Sequence, residues 1–226
     1  MLVADDANFT SNLATVFLDP STFNGTATLE GTYDFDGTKY FTFGIAHEEI
    51  TNRHLGFDGE DNFTLVGNKI DLGGSFTASA WVKLDGSNNL ATDKTIVAKS
   101  NGTTGYRFFI TDSNILSFAV GTSASDRINS NTTIPNNVWH HVSVTYSSNE
   151  ARLYIDGVLD KVQILNAPTP NGSDFSIGAI YVDKTNVIDY FKGDIDEIRI
   201  WNTALTNNQL RYVMNQELEN ATNYVN

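Results

Sequence analysis

Two acidic runs carry the groups most able to do chemistry: Asp58-Gly59-Glu60-Asp61 and Asp194-Ile195-Asp196-Glu197. Carboxylates at such spacing support two chemistries. A pair on opposite sides of a glycosidic bond performs acid–base hydrolysis. A cluster that shares oxygens with backbone carbonyls and water instead binds a hard cation such as calcium, which takes about six to eight ligands. Adjacent residues of a strand point to opposite faces, so Asp196 and Glu197 cannot flank one bond. His140 and His141 fail as a chelating pair for the same reason, and His47 and His54 lack the Glu spacing of a zinc protease. The chain has no cysteine, which removes thiolate metal sites, thiol catalysis and disulfides.

A second set of groups suits recognition. Loop aromatics such as Tyr106, Tyr181, Tyr190 and Phe191 could stack on the C–H face of a pyranose. Asp183, with Lys184 and Asp189, stands in 182–190, the most polar interruption between the late strand runs. Tyr106, Tyr181, Asp183 and Tyr190 are therefore the predicted ligand-binding residues. Asp93, Asp112 and Asp126 also fall in or beside loops, where a further cation could bridge to a ligand. Trp81, Trp139 and Trp201 lie within apolar runs and read as core residues.

Charge narrows the choice of partner. With 14 Lys and Arg against 27 Asp and Glu, the formal net charge is -13. Such a surface repels phosphate and carries no basic stripe, so no nucleic acid is expected. No apolar run approaches the roughly 20 residues of a membrane-spanning helix, so no membrane insertion is expected. Residues 1–20 lack the basic start and long apolar stretch of a signal peptide. Low charge density (18% Asp, Glu, Lys and Arg) and abundant Asn and Thr suit a secreted or cell-surface β-protein. Asn-x-Ser/Thr sequons at Asn8, Asn24, Asn62, Asn101, Asn131, Asn171 and Asn220 matter only in a host that glycosylates.

These groups hang on a chain that reads as strands almost throughout. Runs at 54–57, 62–66, 75–84, 95–99, 105–111, 114–121, 127–130, 138–146, 150–156, 159–164, 174–181 and 191–201 are separated by turn residues. Asp156-Gly157 is the strongest hairpin signal, because both residues tolerate the positive φ of a type I′ turn. Near the end, Thr206 and Gln209 form the capping box of a short helix whose apolar stripe is Leu210, Val213 and Met214. The expectation is an all-β antiparallel sandwich, or jelly roll, over 46–217 with one C-terminal helix and a tail or linker over 218–226. Residues 1–45 differ. Patches around Ala27–Leu29 and Lys39–Phe43 flank the turn signal Asp34-Phe35-Asp36-Gly37, as a hairpin on the main domain or as the last piece of a preceding domain.

Five motifs in order are similar to those of the LamG-like jellyroll family, within the concanavalin A-like lectin/glucanase and laminin G superfamily. They are Phe57-Asp58-Gly59, Ser75-Phe76-Thr77-Ala78-Ser79-Ala80-Trp81-Val82, Trp139-His140-His141-Val142, Leu153-Tyr154-Ile155-Asp156-Gly157 and Gly193-Asp194-Ile195-Asp196-Glu197-Ile198-Arg199-Ile200-Trp201. The resemblance implies a piece of a large secreted bacterial multidomain protein. It also implies a structural calcium held by Asp196, with Asp58 and Gly59 and with Asp61 and Asp194 close by, and a structural His141. A catalytic branch of the superfamily carries Glu-x-Asp-x-x-Glu; here the first position is Asp194 and the last Arg199, so no catalytic residue is predicted. The expected function is a non-catalytic, calcium-stabilised module that binds a polysaccharide or surface glycan. The alternative is protein–protein adhesion or a spacer between neighbouring domains.

Overall fold

A computed structural model describes residues 2–5, 14–15, 19–23, 27–30, 37–42, 54–86, 92–121 and 124–216. The chain divides into two compact units, Met1–Glu49 and Ile50–Asn226. The first holds β1 (Leu2–Ala4), β2 (Ala14–Thr15), β3 (Asp19–Phe23), β4 (Ala27–Glu30) and β5 (Tyr40–Thr42). The patches at 27–30 and 40–42 are strands, and they pair with other strands rather than with each other. β4 pairs with β3, whereas β5 pairs with β1 in a sheet of order β2-β1-β5. Residues 34–36 of the predicted turn and the tail 218–226 lie outside the described residues.

The second unit is the predicted sandwich. Its strands are β6 (Leu55–Asp58), β7 (Thr64–Gly67), β8 (Ser75–Leu84), β9 (Lys94–Ser100), β10 (Gly105–Ile110), β11 (Ile115–Val120) and β12 (Arg127–Thr133). There follow β13 (Trp139–Ser147), β14 (Glu150–Ile155), β15 (Val158–Ile164), β16 (Phe175–Ile177), β17 (Ile180–Asp183), β18 (Asn186–Ile188) and β19 (Lys192–Trp201), then helix α1 (Asn207–Val213). Sheet A has the order β12-β11-β10-β9-β16-β7 and sheet B the order β15-β14-β13-β8-β19-β6, with every pairing antiparallel.

The core follows from period-two alternation. On β8, Phe76, Ala78, Ala80, Val82 and Leu84 face sheet A, where Phe108, Ile110, Leu116 and Phe118 meet them. The opposite face of β8 is buried as well, because residues 201–216 cross it. Trp81 donates its indole N–H to Met214 O at 2.9 Å, and Thr77 Oγ1 donates to Thr203 O at 2.8 Å. Two buried lysines anchor loops at the two ends of β9. Lys99 Nζ donates to Asn68 Oδ1 (2.7 Å) and Lys69 O (2.9 Å), and pairs with Asp71 (2.7 Å). Lys94 Nζ donates to Thr111 O (3.1 Å) and Asn114 Oδ1 (3.3 Å). Each buried cation is thereby hydrogen-bonded, which offsets its loss of hydration.

Turn chemistry behaves as predicted at Asp156-Gly157, with φ of 51° and 67°. The capping box is also present: Thr206 accepts from Gln209 N while the Gln209 side chain accepts from Thr206 N. The run 174–181 is not one strand. It breaks at Gly178, where φ is +82° and an added Cβ would lie 2.1 Å from the Phe57 ring. The following segment, read as a polar loop, is the β17–β18 hairpin.

Candidate functional site

Three strand ends converge at one end of the sandwich. β6 supplies Gly56 and Asp58, β8 ends in Lys83 and Leu84 before Asp85, and β19 opens with Lys192, Gly193 and Asp194. The register sets Asp58 opposite Lys192, and Asp194 opposite both Gly56 and Lys83. Close approach at this junction needs Gly193, whose φ is +132° and whose Cβ, if present, would fall 2.1 Å from Lys83 O. The result is a cavity of about 430 Å³ whose polar side chains are Asp58, Asn62, Lys83, Asp85, Asn137 and Asp194.

Charges in this pocket are paired within the protein. Asp194 Oδ2 lies 3.2 Å from Lys83 Nζ and Oδ1 lies 3.4 Å from His54 Nε2. Asp85 pairs with Lys192 at 3.7 Å. Asp58 Oδ1 accepts from Glu60 N (2.8 Å) and Asp61 N (3.3 Å), and these bonds, Glu60 first, hold its carboxyl below the usual range. Trp139, opposite Lys83 in the register, flanks the site. Its ring meets His54 edge-on at 5.8 Å and has the Lys83 ammonium 5.9 Å from its centroid. The indole is half-buried, which corrects the expectation of a core tryptophan: the register sets Trp139 beside Lys83 on the outer face of sheet B, opposite to the face by which Val142 and Val144 fill the core. Carboxylate, amide and ammonium groups around a wet cavity can donate to and accept from vicinal hydroxyls, and the indole offers an apolar face.

The predicted metal residues do not gather at one point. Asp58, Gly59 and Asp61 share the turn after β6, and Asp194 is held by the Lys83 ammonium and the His54 ring nitrogen. Asp196 lies farther along β19, its Oδ1 accepting Glu197 N at 2.8 Å. A β-bulge between Asp196 and Arg199 puts Glu197 at φ +48°, from where it grips Arg199 Nε at 2.9 Å. Arg199 in turn donates to Val213 O and Gln216 O, so these motif residues tie the end of α1 to sheet B.

The predicted ligand residues separate into three environments. Tyr181 and Tyr190 come together around Phe63, stacked at 5.9 Å and edge-on at 6.3 Å respectively, and all three rings are half-buried. Phe63 was missed because run 62–66 reads as strand, whereas β7 starts only at Thr64. Asp183 is exposed and closes the β17–β18 turn. It accepts from the Thr185 hydroxyl and amide, both at 2.7 Å, which lower its pKa, the hydroxyl most. Tyr106 is a correction. It lies inward on β10, 3% exposed, with its hydroxyl donating to Ile70 O at 2.7 Å, so its face cannot meet a ligand. Phe191, at 0% exposure, is likewise a core ring. Of the other loop carboxylates, Asp93 is joined with Asp189 to Arg107 Nη1 at 3.1 and 3.0 Å. Burial raises the Asp189 pKa, Arg107 opposing it.

A sequence model described as the concanavalin A-like lectin/glucanases superfamily matches residues 57–211, more than half of the chain. The chain belongs to this superfamily. Solved structures share the architecture. A Bacteroides ovatus protein solved as a candidate for carbohydrate binding is 25% identical with a TM-score of 0.56, the match covering 70% of this chain and 45% of that one. A heptameric SAP-like pentraxin from Limulus polyphemus is 16% identical with a TM-score of 0.53, over 70% and 79% of the two chains. The CBM40 domain of a Ruminococcus gnavus sialidase, solved with α2,3-sialyllactose, is 15% identical with a TM-score of 0.52, over 63% and 83%. The chain spans less than half the length of the Bacteroides protein. Among the described residues, no helix is long and apolar enough to cross a membrane.

Proposed function

We propose that residues 54–216 form a non-catalytic carbohydrate-binding module of a secreted or surface-attached protein, with the Trp139-flanked pocket as its glycan site. The observation that carries this reading is a cavity of about 430 Å³ lined by Asp58, Asn62, Lys83 and Asn137, with the half-buried indole of Trp139 against Lys83 at its margin. Similarity to the Bacteroides ovatus candidate for carbohydrate binding supports it. Non-catalysis is supported by the engagement of the motif carboxylates: Asp194 pairs with Lys83 and lies against His54, and Glu197 clamps Arg199. Neither is placed to protonate a leaving group or to activate water.

Calcium enters this reading at one place. Asp194 pairs with Lys83 and His54, Asp196 Oδ1 accepts from Glu197 N, and among the described residues no three His, Asp or Glu side chains form a metal-holding group. Asp58 is hydrogen-bonded by backbone amides of its own turn, so the 58–61 turn suits a calcium held by the Asp58 and Asp61 carboxylates and the Gly59 carbonyl, with water completing the shell. Such an ion would cancel local repulsion and stiffen the pocket rim. The proposal is tested by retention of the protein on immobilised polysaccharides of varied composition, with and without calcium. Selective retardation is the expected result; no retardation on any of them rejects the glycan reading in favour of an adhesion or spacer role.

A further inference from the structure

We infer that the outer face of sheet B carries a second saccharide-binding groove, selective for an uncharged chain and separate from the Trp139 pocket. A groove of about 560 Å³ lies between β13–β15 and residues 204–207. The register builds it in rows. Ser147, Glu150 and Ile164 align across β13, β14 and β15; Thr145, Arg152 and Val162 form the next row, and Ser143, Tyr154 and Leu159 the third. A bulge between Leu153 and Tyr154 keeps Leu159 and Val162 on one face although they are three residues apart. The exposed floor therefore offers the Ser147 and Ser148 hydroxyls and one ion pair beside the buried Ser143, Thr145 and Tyr154, while the far wall is aliphatic. That wall faces water: Leu159 is 43% exposed, Val162 41% and Ile164 68%.

Two observations choose the occupant. First, the charges of the groove cancel. Glu150 Oε1 accepts from Arg152 Nε and Nη2, both at 2.7 Å, so a chain of net charge -13 presents a neutral strip here. A neutral partner loses nothing by binding it, whereas a uronate or sulfate would meet no free cation. Second, an extended peptide cannot add to β15 as a strand, because that edge is sealed against β12. Asp160 accepts from Asn131 N (2.5 Å) and Thr132 N (3.1 Å), Asn131 Nδ2 donates to Asp160 O (2.8 Å), and Gln163 Nε2 donates to Arg127 O (2.8 Å). Side-chain hydroxyls, a carboxylate and a guanidinium facing an aliphatic wall match a sugar, which has hydroxyls on its rim and C–H bonds on its face.

The test titrates the full chain with neutral hexasaccharides built from glucose, mannose or xylose, and with a hexauronate as the charged comparison. It uses Trp139→Ala to silence the end pocket, Ile164→Asp to wet the wall, and Glu150→Gln with Arg152→Gln to remove the ion pair without changing net charge. Ile164 is exposed enough for its replacement to leave the fold intact. The inference predicts that Trp139→Ala retains binding of a neutral hexasaccharide. Adding Ile164→Asp abolishes it, and adding the Gln pair weakens it about tenfold. If Trp139→Ala and wild type bind equally and Ile164→Asp removes all binding, the groove stands and the end-pocket reading fails. The inference is overturned if Trp139→Ala alone abolishes binding, if the hexauronate binds the groove better, or if wild type sediments as a dimer that Ile164→Asp dissociates.

Discussion

His141 sets an acid limit on this domain whose size can be worked out. The ring is 2% exposed and lies edge-on to Trp81 at 5.5 Å, with Nδ1 lacking a protein partner. Burial lowers its pKa from 6.5 to about 4; nearby Asp156 works against the shift and Arg199 with it. The folded state thus binds the proton less readily than the unfolded chain. Its contribution to stability is complete above about pH 6.5 and is lost as the pH falls towards 4. At about 1.4 kcal/mol per pH unit, that window is worth about 3 kcal/mol, a large share of the 5–15 kcal/mol (order of magnitude) that holds a domain folded. Urea melts followed by tryptophan fluorescence at pH 7.0, 6.0, 5.0 and 4.5 measure it directly. His141→Leu keeps the volume roughly constant and cannot titrate, so its stability should fall less steeply than wild type, by about 1.4 kcal/mol per pH unit between about pH 6 and 4.5. Parallel pH profiles for the two proteins would refute the assignment of a neutral, buried imidazole.

Other consequences follow from the same geometry. Gly178→Ala places a Cβ against the Phe57 ring at positive φ and should cost more than about 3 kcal/mol in a thermal melt. Arg199→Met removes the donors to Val213 O and Gln216 O and strands Glu197. It should cost about 3–5 kcal/mol, with hydrogen exchange at 207–216 rising first. Thr206→Ala breaks the capping box and should lower stability by about 1 kcal/mol. A calcium chelator should lower the melting temperature of wild type but not of Asp58→Ala; equal shifts in both would move the ion away from the 58–61 turn.

The fold was largely legible because local signals agreed with the global one. β8 and β13 alternate apart from Trp81 and the His140-His141 pair, Asp156-Gly157 has the turn residues its φ angles require, and Thr206 with Gln209 caps a helix that is there. Failures arose where tertiary contact overrides local pattern. Gly178 breaks a run of strand-forming residues because the Phe57 ring needs the space, and β17–β18 closes through Asp183 and Thr185 in a segment read as loop. The site was half legible. Asp58 and Asp194 do meet at one pocket, as the pairing of the first and last strands implies. What could not be read was which aromatic rings stay exposed. Tyr106, read as a loop ring, turns into the core, and Trp139, read as a core ring, lies beside Lys83 on the outer face of sheet B.

The central claim, that the Trp139 pocket binds a glycan, is tested most directly by a glycan array probed with wild type and Trp139→Ala at matched folding. The account predicts a selective wild-type signal that falls at least about tenfold in the variant while the melting temperature stays unchanged. Equal signals from the two proteins, or no wild-type signal with or without calcium, would contradict it.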